Sequence, residues 1–140
     1  MAGGGFLSRI PKRFVKTVTF TATGDGAIGT VTLGTLTERA MLVYVSAACT
    51  TTLTSGGAPT IEVGTANNTA GILPQIVDGT DLVALKYWRD ATPEVEVSPA
   101  VINLNVQANI ILTVGTATVT AGVIEFVFFW LPMSNNGQIA

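Results

Sequence analysis

Residues 123–131 constrain the fold more than any other stretch, because the strand that they predict is apolar on both faces. Successive side chains of a strand point to opposite faces. One face carries Ile124, Phe126, Phe128 and Trp130. The other carries Val123, Glu125, Val127, Phe129 and Leu131, with a single charge. A strand that closes one side of a small core needs apolar residues on one face only, so we expect a second cover from another layer of the chain or from a neighbouring subunit.

The rest of the chain repeats short strand patterns separated by turn signals. Gly, Pro, Asn and Asp interrupt alternating or apolar segments at short intervals, and no segment has the 3.6-residue period of an amphipathic helix. The predicted strands are residues 14–21, 29–37, 41–48, 60–64, 82–88, 94–97, 101–106, 109–114 and 122–131. This pattern favours an all-β fold, an antiparallel two-sheet β-sandwich that is jelly-roll-like.

Several segments carry more specific expectations. Residues 41–48 are almost continuously apolar, which predicts a central strand buried on both faces. Residues 109–114 and 122–131 are expected to pair as antiparallel neighbours, and residues 65–71 to form a polar loop. The predicted organisation is a flexible basic arm over residues 1–13, a single domain over 14–132 and a frayed C-terminal tail over 133–140.

The composition argues against a membrane protein. Mean hydropathy is high, at +0.52, and only 11% of residues are charged. No apolar run approaches the roughly 18 residues that a membrane-spanning helix needs. The N-terminal sequence lacks the apolar core of a secretory signal, so export through the general secretory pathway is not expected and the chain is expected to be made in the host cytoplasm.

The predicted arm concentrates positive charge on a chain that is otherwise acidic. Its proposed contact residues are Phe6, Leu7, Arg9, Ile10, Lys12, Arg13 and Lys16. Four of the seven basic residues are among these contact residues, three of them within residues 1–13 and the fourth at Lys16, which leaves three basic against nine acidic residues elsewhere. The arm is either a solvated terminus or a tether that lies on an acidic neighbouring protein. Nucleic acid is disfavoured as a partner, because no broad basic surface with interleaved aromatic residues is present.

The sequence assigns no catalytic, cofactor-binding or metal-binding residue. The absence of His removes His-dependent catalytic triads and most zinc sites, and Cys49, in an apolar run, is interpreted as a buried core residue. Asp78 and Asp81 flank a Gly-containing turn. Asp is a common turn residue, so a structural role in the turn is favoured over calcium binding. A hydrolase that uses these residues with Glu94 and Glu96 ranks last among the functional hypotheses.

Tyr87 and Trp88, beside Arg89, are the candidate glycan contact. Aromatic rings stack on sugars, and this pair would suit a carbohydrate-binding module of a head or tail fibre. Adjacent strand residues face opposite ways, however, so the alternative places one ring in the core and the other at a rim.

Two groups of segments resemble small virion proteins of tailed bacteriophages. They are residues 109–114 followed by 118–126, and residues 61–65 with 71–74. The closest type is the capsid decoration, or cement, protein. The resemblance implies a β-sandwich that assembles as a homotrimer on the capsid surface, with the major capsid protein or another virion protein as partner and no cofactor.

The leading hypothesis is therefore a non-enzymatic virion protein. Its arm would contact neighbours, and Val127, Phe129 and Leu131 would help to bury the subunit interface. The alternatives are the carbohydrate-binding fibre module and a jelly-roll coat protein that forms the shell itself.

Overall fold

Nine strands form two antiparallel sheets in a computed structural model that describes residues 10–90 and 108–140. The strands are β1 (Lys12–Thr19), β2 (Gly29–Thr37), β3 (Ala40–Ser55), β4 (Thr60–Thr65), β5 (Asn68–Ile76), β6 (Tyr87–Trp88), β7 (Ala108–Gly115), β8 (Val119–Pro132) and β9 (Gln138–Ile139). A single 3-10 turn, Gly79–Asp81, is the helical element of this part of the chain. No helix in the described ranges has the length and apolar character to cross a membrane.

The pairing of the strands defines a jelly roll. One sheet has the order β1-β8-β3-β6 and the other β5-β4-β7-β2-β9. The first strand pairs with the eighth, the second with the seventh, the third with the sixth and the fourth with the fifth. The chain thus resembles one long antiparallel hairpin, wound so that successive strand pairs fall alternately in the two sheets. The predicted all-β, two-sheet sandwich is confirmed.

The core lies between the sheets, and β8 supplies its centre. Ile124, Phe126 and Phe128 have no exposed surface, and Trp130 is 6% exposed. The opposite sheet contributes Ile61, Val63, Leu112 and Val114, all buried. Each such side chain contributes about 1.5–3 kcal/mol by leaving water. The predicted inner face of the last long strand therefore forms the centre of the core.

The expected pairing of residues 109–114 with 122–131 is wrong. β7 pairs with β2 and β4, whereas β8 pairs with β1 and β3 in the other sheet. The short connection between them crosses the sandwich through Thr116, whose φ is +66°. Each of the two strands buries one face in the same core, from opposite sides. The alternation of apolar and polar residues is the same in this arrangement as in a hairpin, so it does not distinguish the two pairings.

The expected polar loop over residues 65–71 is also wrong. β4 ends at Thr65 and β5 begins at Asn68, so a two-residue turn joins them as a hairpin. Gly64 allows the strands to approach, because a Cβ there would overlap the backbone of Asn68 and Thr69. Polar side chains at this position mark a tight turn and an edge strand.

The C-terminal residues are part of the fold and not a frayed tail. Gln138 and Ile139 pair with β2, and Ile139 is buried. The backbone of Ala140 exchanges two hydrogen bonds with Thr35, at 2.7 and 3.1 Å. At the other end, β1 begins at Lys12, two residues before the predicted start of the domain.

Strand β6 is shorter than predicted, and two predicted strands are not described. Only Tyr87 and Trp88 of residues 82–88 are in a strand, and residues 82–86 follow the edge of β3 as a turn. The predicted strands at 94–97 and 101–106, with Glu94 and Glu96, lie outside the described residues.

Candidate assembly surface

The outer face of the four-stranded sheet carries an apolar patch at one end. We define the outer patch as Val15, Met41, Tyr44, Val127, Phe129 and Leu131. The strand register groups these residues into neighbouring rows. Phe129 lies between Arg13 and Tyr44, Val127 lies between Val15 and Ser46, and Leu131 lies beside Met41.

The outer patch is open to solvent in this chain. Tyr44 is 53% exposed, Val15 43% and Met41 39%, and the three β8 side chains are half-buried between their neighbours. The rings of Tyr44 and Phe129 lie 6.2 Å apart, centroid to centroid. Within residues 10–90 and 108–140, the five-stranded sheet covers the inner face only. The expectation that residues 41–48 are buried on both faces is therefore not met within this single chain.

Beyond the outer patch this face is mixed, with Glu125 and several Thr residues beside Val123 and the exposed Tyr87. The next row along the sheet places exposed Glu125 between Thr17 and Ala48, and exposed Thr19 follows on β1. Arg13 borders the outer patch on the edge strand. The outer patch is thus bordered by a basic residue, Arg13, and followed by a row with an acidic residue, Glu125.

The sequence identified only the β8 part of this surface. Val15, Met41 and Tyr44 carry no such signal, because each is an ordinary apolar residue in an ordinary strand pattern. They join Val127, Phe129 and Leu131 only through the pairing of β1 and β3 with β8. No local sequence signal could have identified them.

The basic residues of the predicted arm do not form one patch in the described part of the chain. Lys12 and Lys16 lie opposite Trp130 and Phe126, whereas Arg13 lies opposite Phe129 on the outer face. The Lys12 ammonium lies 5.5 Å from the centroid of the Trp130 ring, which is cation–π geometry. Ile10 is 78% exposed. Phe6, Leu7 and Arg9 lie outside the described residues.

The two candidate glycan residues point in opposite directions. Trp88 is buried, its Nε1–H donates a hydrogen bond to the Pro74 carbonyl at 3.0 Å, and its ring packs edge-on against Phe126. Tyr87 lies opposite Ala48 and is 68% exposed. This is the arrangement of one ring in the core and one at the rim, so a sugar contact would depend on Tyr87.

Asp78, one of the acidic residues of the hydrolase alternative, has a structural role. The Asp78 carboxylate accepts hydrogen bonds from the Thr80 backbone N–H at 3.0 Å and from the Thr80 hydroxyl at 2.7 Å, which closes the 3-10 turn. Among the residues that the structure describes, no three Cys, Asp or Glu side chains are grouped as a metal site would require.

Cys49 is a core residue. Its thiol donates to the carbonyls of Thr51 and Leu82, and burial raises the pKa of the Cys49 thiol above its ordinary value. A raised pKa keeps the sulfur protonated, and the thiolate is the nucleophilic form. The geometry therefore gives Cys49 a packing role.

Comparison with known proteins identifies the fold but no family. No protein-family model matches the chain, and no curated protein matches it. Among solved structures, a chain in the acidic stable capsid structure of Helicobacter pylori bacteriophage KHP30 matches with a TM-score of 0.54 and 11% sequence identity. The match covers 96% of this chain and 98% of that chain. At this identity the likeness shows a shared fold over nearly the whole of both chains.

Proposed function

We propose that this chain is a non-enzymatic structural protein of a phage virion. It binds the outside of the capsid as a decoration, or cement, protein and assembles as a homotrimer. Two lines of support are independent of each other. The sequence resembles small virion proteins of tailed phages, and the fold matches a chain in a phage capsid structure nearly end to end.

The outer patch is the observation that carries the assembly role. Isolated exposed apolar residues are normal on protein surfaces, but contiguous patches mark contacts with other molecules. Val127, Phe129 and Leu131 lie on a strand whose other face is packed in the core, so the backbone that carries them is fixed by that packing. A pre-organised surface loses little conformational entropy when it binds.

The size of the outer patch indicates the centre of an interface and not the whole of it. Three strands about 4.8 Å apart and three rows about 7 Å apart cover roughly 300 Å², and the six apolar residues occupy about two thirds of that area, or roughly 200 Å². A standard interface buries about 800 Å² on each partner. The surrounding polar side chains, including Arg13 and Glu125, would form the rim, as in interfaces with an apolar centre and a polar border.

A homotrimer places a condition on this surface. In a ring of three identical subunits, each interface joins two different surfaces of the chain. The outer patch of one subunit would therefore contact a different face of the next, and not another outer patch. The trimer itself comes from the family resemblance.

Imaging the native particle tests the proposal most directly. A decoration protein is expected as trimeric density on the outer surface of a complete shell, and sedimentation of the purified protein is expected to give three times the 14.5 kDa chain mass. A monomer at high concentration would contradict the interface. Density confined to a fibre would contradict the location.

The second candidate is a jelly-roll coat protein that forms the shell. The jelly-roll strand order favours it, because viral capsid proteins commonly have this fold. The two functions differ in what happens when the protein is removed. Shells that assemble without it support decoration, whereas the absence of shells supports the coat role.

A further inference from the structure

Strand β1 is an edge strand that is both long and regular. It ends the four-stranded sheet of the described residues, and all eight of its residues pair with β8 without a shift in register. The other strands that end a sheet in the described ranges are less suited to further pairing. β6 and β9 have two residues each, and β5 contains Pro74, which has no N–H to donate. Long regular edges pair readily with other chains, so we expect the side of β1 away from β8, its open side, to need protection.

The backbone groups on the open side of β1 can be assigned from the strand register. The Phe20 N–H donates to the Gly122 carbonyl at 2.9 Å, in the register that continues the pairing of β1 with β8. Hydrogen-bonded and non-hydrogen-bonded pairs alternate along an antiparallel ladder. The even-numbered residues of β1 therefore bond to β8, whereas the N–H and C=O groups of Arg13, Val15 and Thr17 point away from it. An added strand would bond to these groups.

Two lysine side chains lie on the inward face of β1. Lys12 is opposite Trp130 and Lys16 is opposite Phe126, and both partners are buried in the core. A strand added to the open side of β1 would place its own inward side chains beside Lys12 and Lys16, and it would take part of the water from their ammonium groups. Loss of water is costly for a charge that gains no acidic partner. Inward-pointing charges on edge strands oppose further pairing for this reason.

We propose that Lys12 and Lys16 prevent the open side of β1 from pairing with a second copy of this chain. β1 has three basic residues and no acidic one, so two such strands side by side would bring together three positive charges from each copy. In one antiparallel register, Lys12 of one copy lies directly opposite Lys16 of the other, and like charges in that position destabilise a sheet. Self-association is thereby directed away from this edge. The inference concerns the chain alone and does not depend on binding to a capsid.

The variant Lys12→Thr/Lys16→Thr tests this role, because threonine favours strands and carries no charge. In sedimentation of the purified full chain over a dilution series, this variant is expected to form species larger than the wild-type ones at about 10-fold lower protein concentration. A change of about tenfold is the size expected when two like-charge pairs across neighbouring strands are removed. Lys12→Arg/Lys16→Arg keeps both charges and is expected to sediment like the wild type.

Two further variants separate edge pairing from a general loss of charge. Lys86→Thr/Arg89→Thr removes the same net charge from exposed positions outside β1 and is expected to leave sedimentation unchanged. Thr17→Pro, added to Lys12→Thr/Lys16→Thr, removes an N–H from the open side without breaking a hydrogen bond to β8. This addition is expected to restore the wild-type sedimentation.

Three results would overturn the inference. If Lys12→Thr/Lys16→Thr sediments like the wild type, the two charges are not what keeps this edge from pairing. If Lys86→Thr/Arg89→Thr self-associates to the same extent, or if Thr17→Pro does not reverse the self-association, the cause is net charge or misfolding. If the lysine-to-threonine variant loses binding to another virion protein but does not self-associate, the two lysines belong to a contact with that partner.

Discussion

Phe128 and Phe129 are adjacent on β8 but point to opposite faces, so their alanine variants separate folding from assembly. Phe128 is fully buried, and its ring centroid lies 6.2 Å from that of Phe14 and 6.3 Å from that of Phe126. Phe128→Ala removes these contacts and leaves a cavity, at a cost of about 3–5 kcal/mol. For a domain of this size, that loss lowers the unfolding midpoint by roughly 10–20 °C.

Phe129→Ala is expected to behave differently. The ring is half-buried and contacts Tyr44 on a face open to solvent, so its removal costs the folded monomer only about 1 kcal/mol. The same change removes the centre of the outer patch, and the proposed oligomer is expected to dissociate towards monomers. Sedimentation and thermal unfolding, each at two protein concentrations, distinguish the two effects, because oligomer stability depends on concentration.

Two results would refute this reasoning. If both variants lose the same stability under conditions where the protein is monomeric, Phe129 is as important to the core as Phe128. If Phe129→Ala retains the wild-type oligomer, the outer patch is not the subunit interface.

Three further predictions concern other parts of the chain. Gly122→Ala is expected to lower the free energy of unfolding by about 3 kcal/mol, because Gly122 has a φ of +125° and an added Cβ would overlap the Leu53 side chain. Chemical denaturation measures this loss. An unchanged free energy of unfolding would contradict the close packing at this position. Cys49 is expected to resist thiol reagents until the chain unfolds. The pKa of the Cys49 thiol is raised in the folded state. The stability that this thiol contributes is therefore fully present below the ordinary thiol pKa of about 8.5 and is lost as the pH rises through the pKa of the folded state. The Cys49→Val variant should lack this pH dependence. Deletion of residues 1–9, which leaves β1 intact, is expected to weaken capsid attachment; unchanged occupancy would remove the arm from the mechanism.

The sequence predicted strands better than it predicted their neighbours. β2 spans the predicted residues 29–37, and the inner face of β8 is buried as the alternation indicated. Alternation reports which side chains face a core, but pairing depends on residues far apart in the chain. For this reason the alternation favours one hairpin for the residues of β7 and β8, although these strands lie in different sheets.

The same limit applies to the candidate site. Val127, Phe129 and Leu131 could be identified from one strand, because an apolar outer face is unusual by itself. Tyr44 and Val15 could not, since only their positions beside β8 bring them into the outer patch.

The pairing of the first strand with the eighth has a consequence for folding. Lys12 pairs with Trp130, so β1 cannot pair until β8, which is synthesised more than a hundred residues later, is available. Contacts this distant in sequence slow folding and leave apolar strands unpaired for longer. The outer patch also needs β8, so a shortened chain that lacks it cannot form this surface. In this topology the outer patch is complete only after the last long strand has been made, so an incomplete chain would be excluded from any assembly that uses this surface.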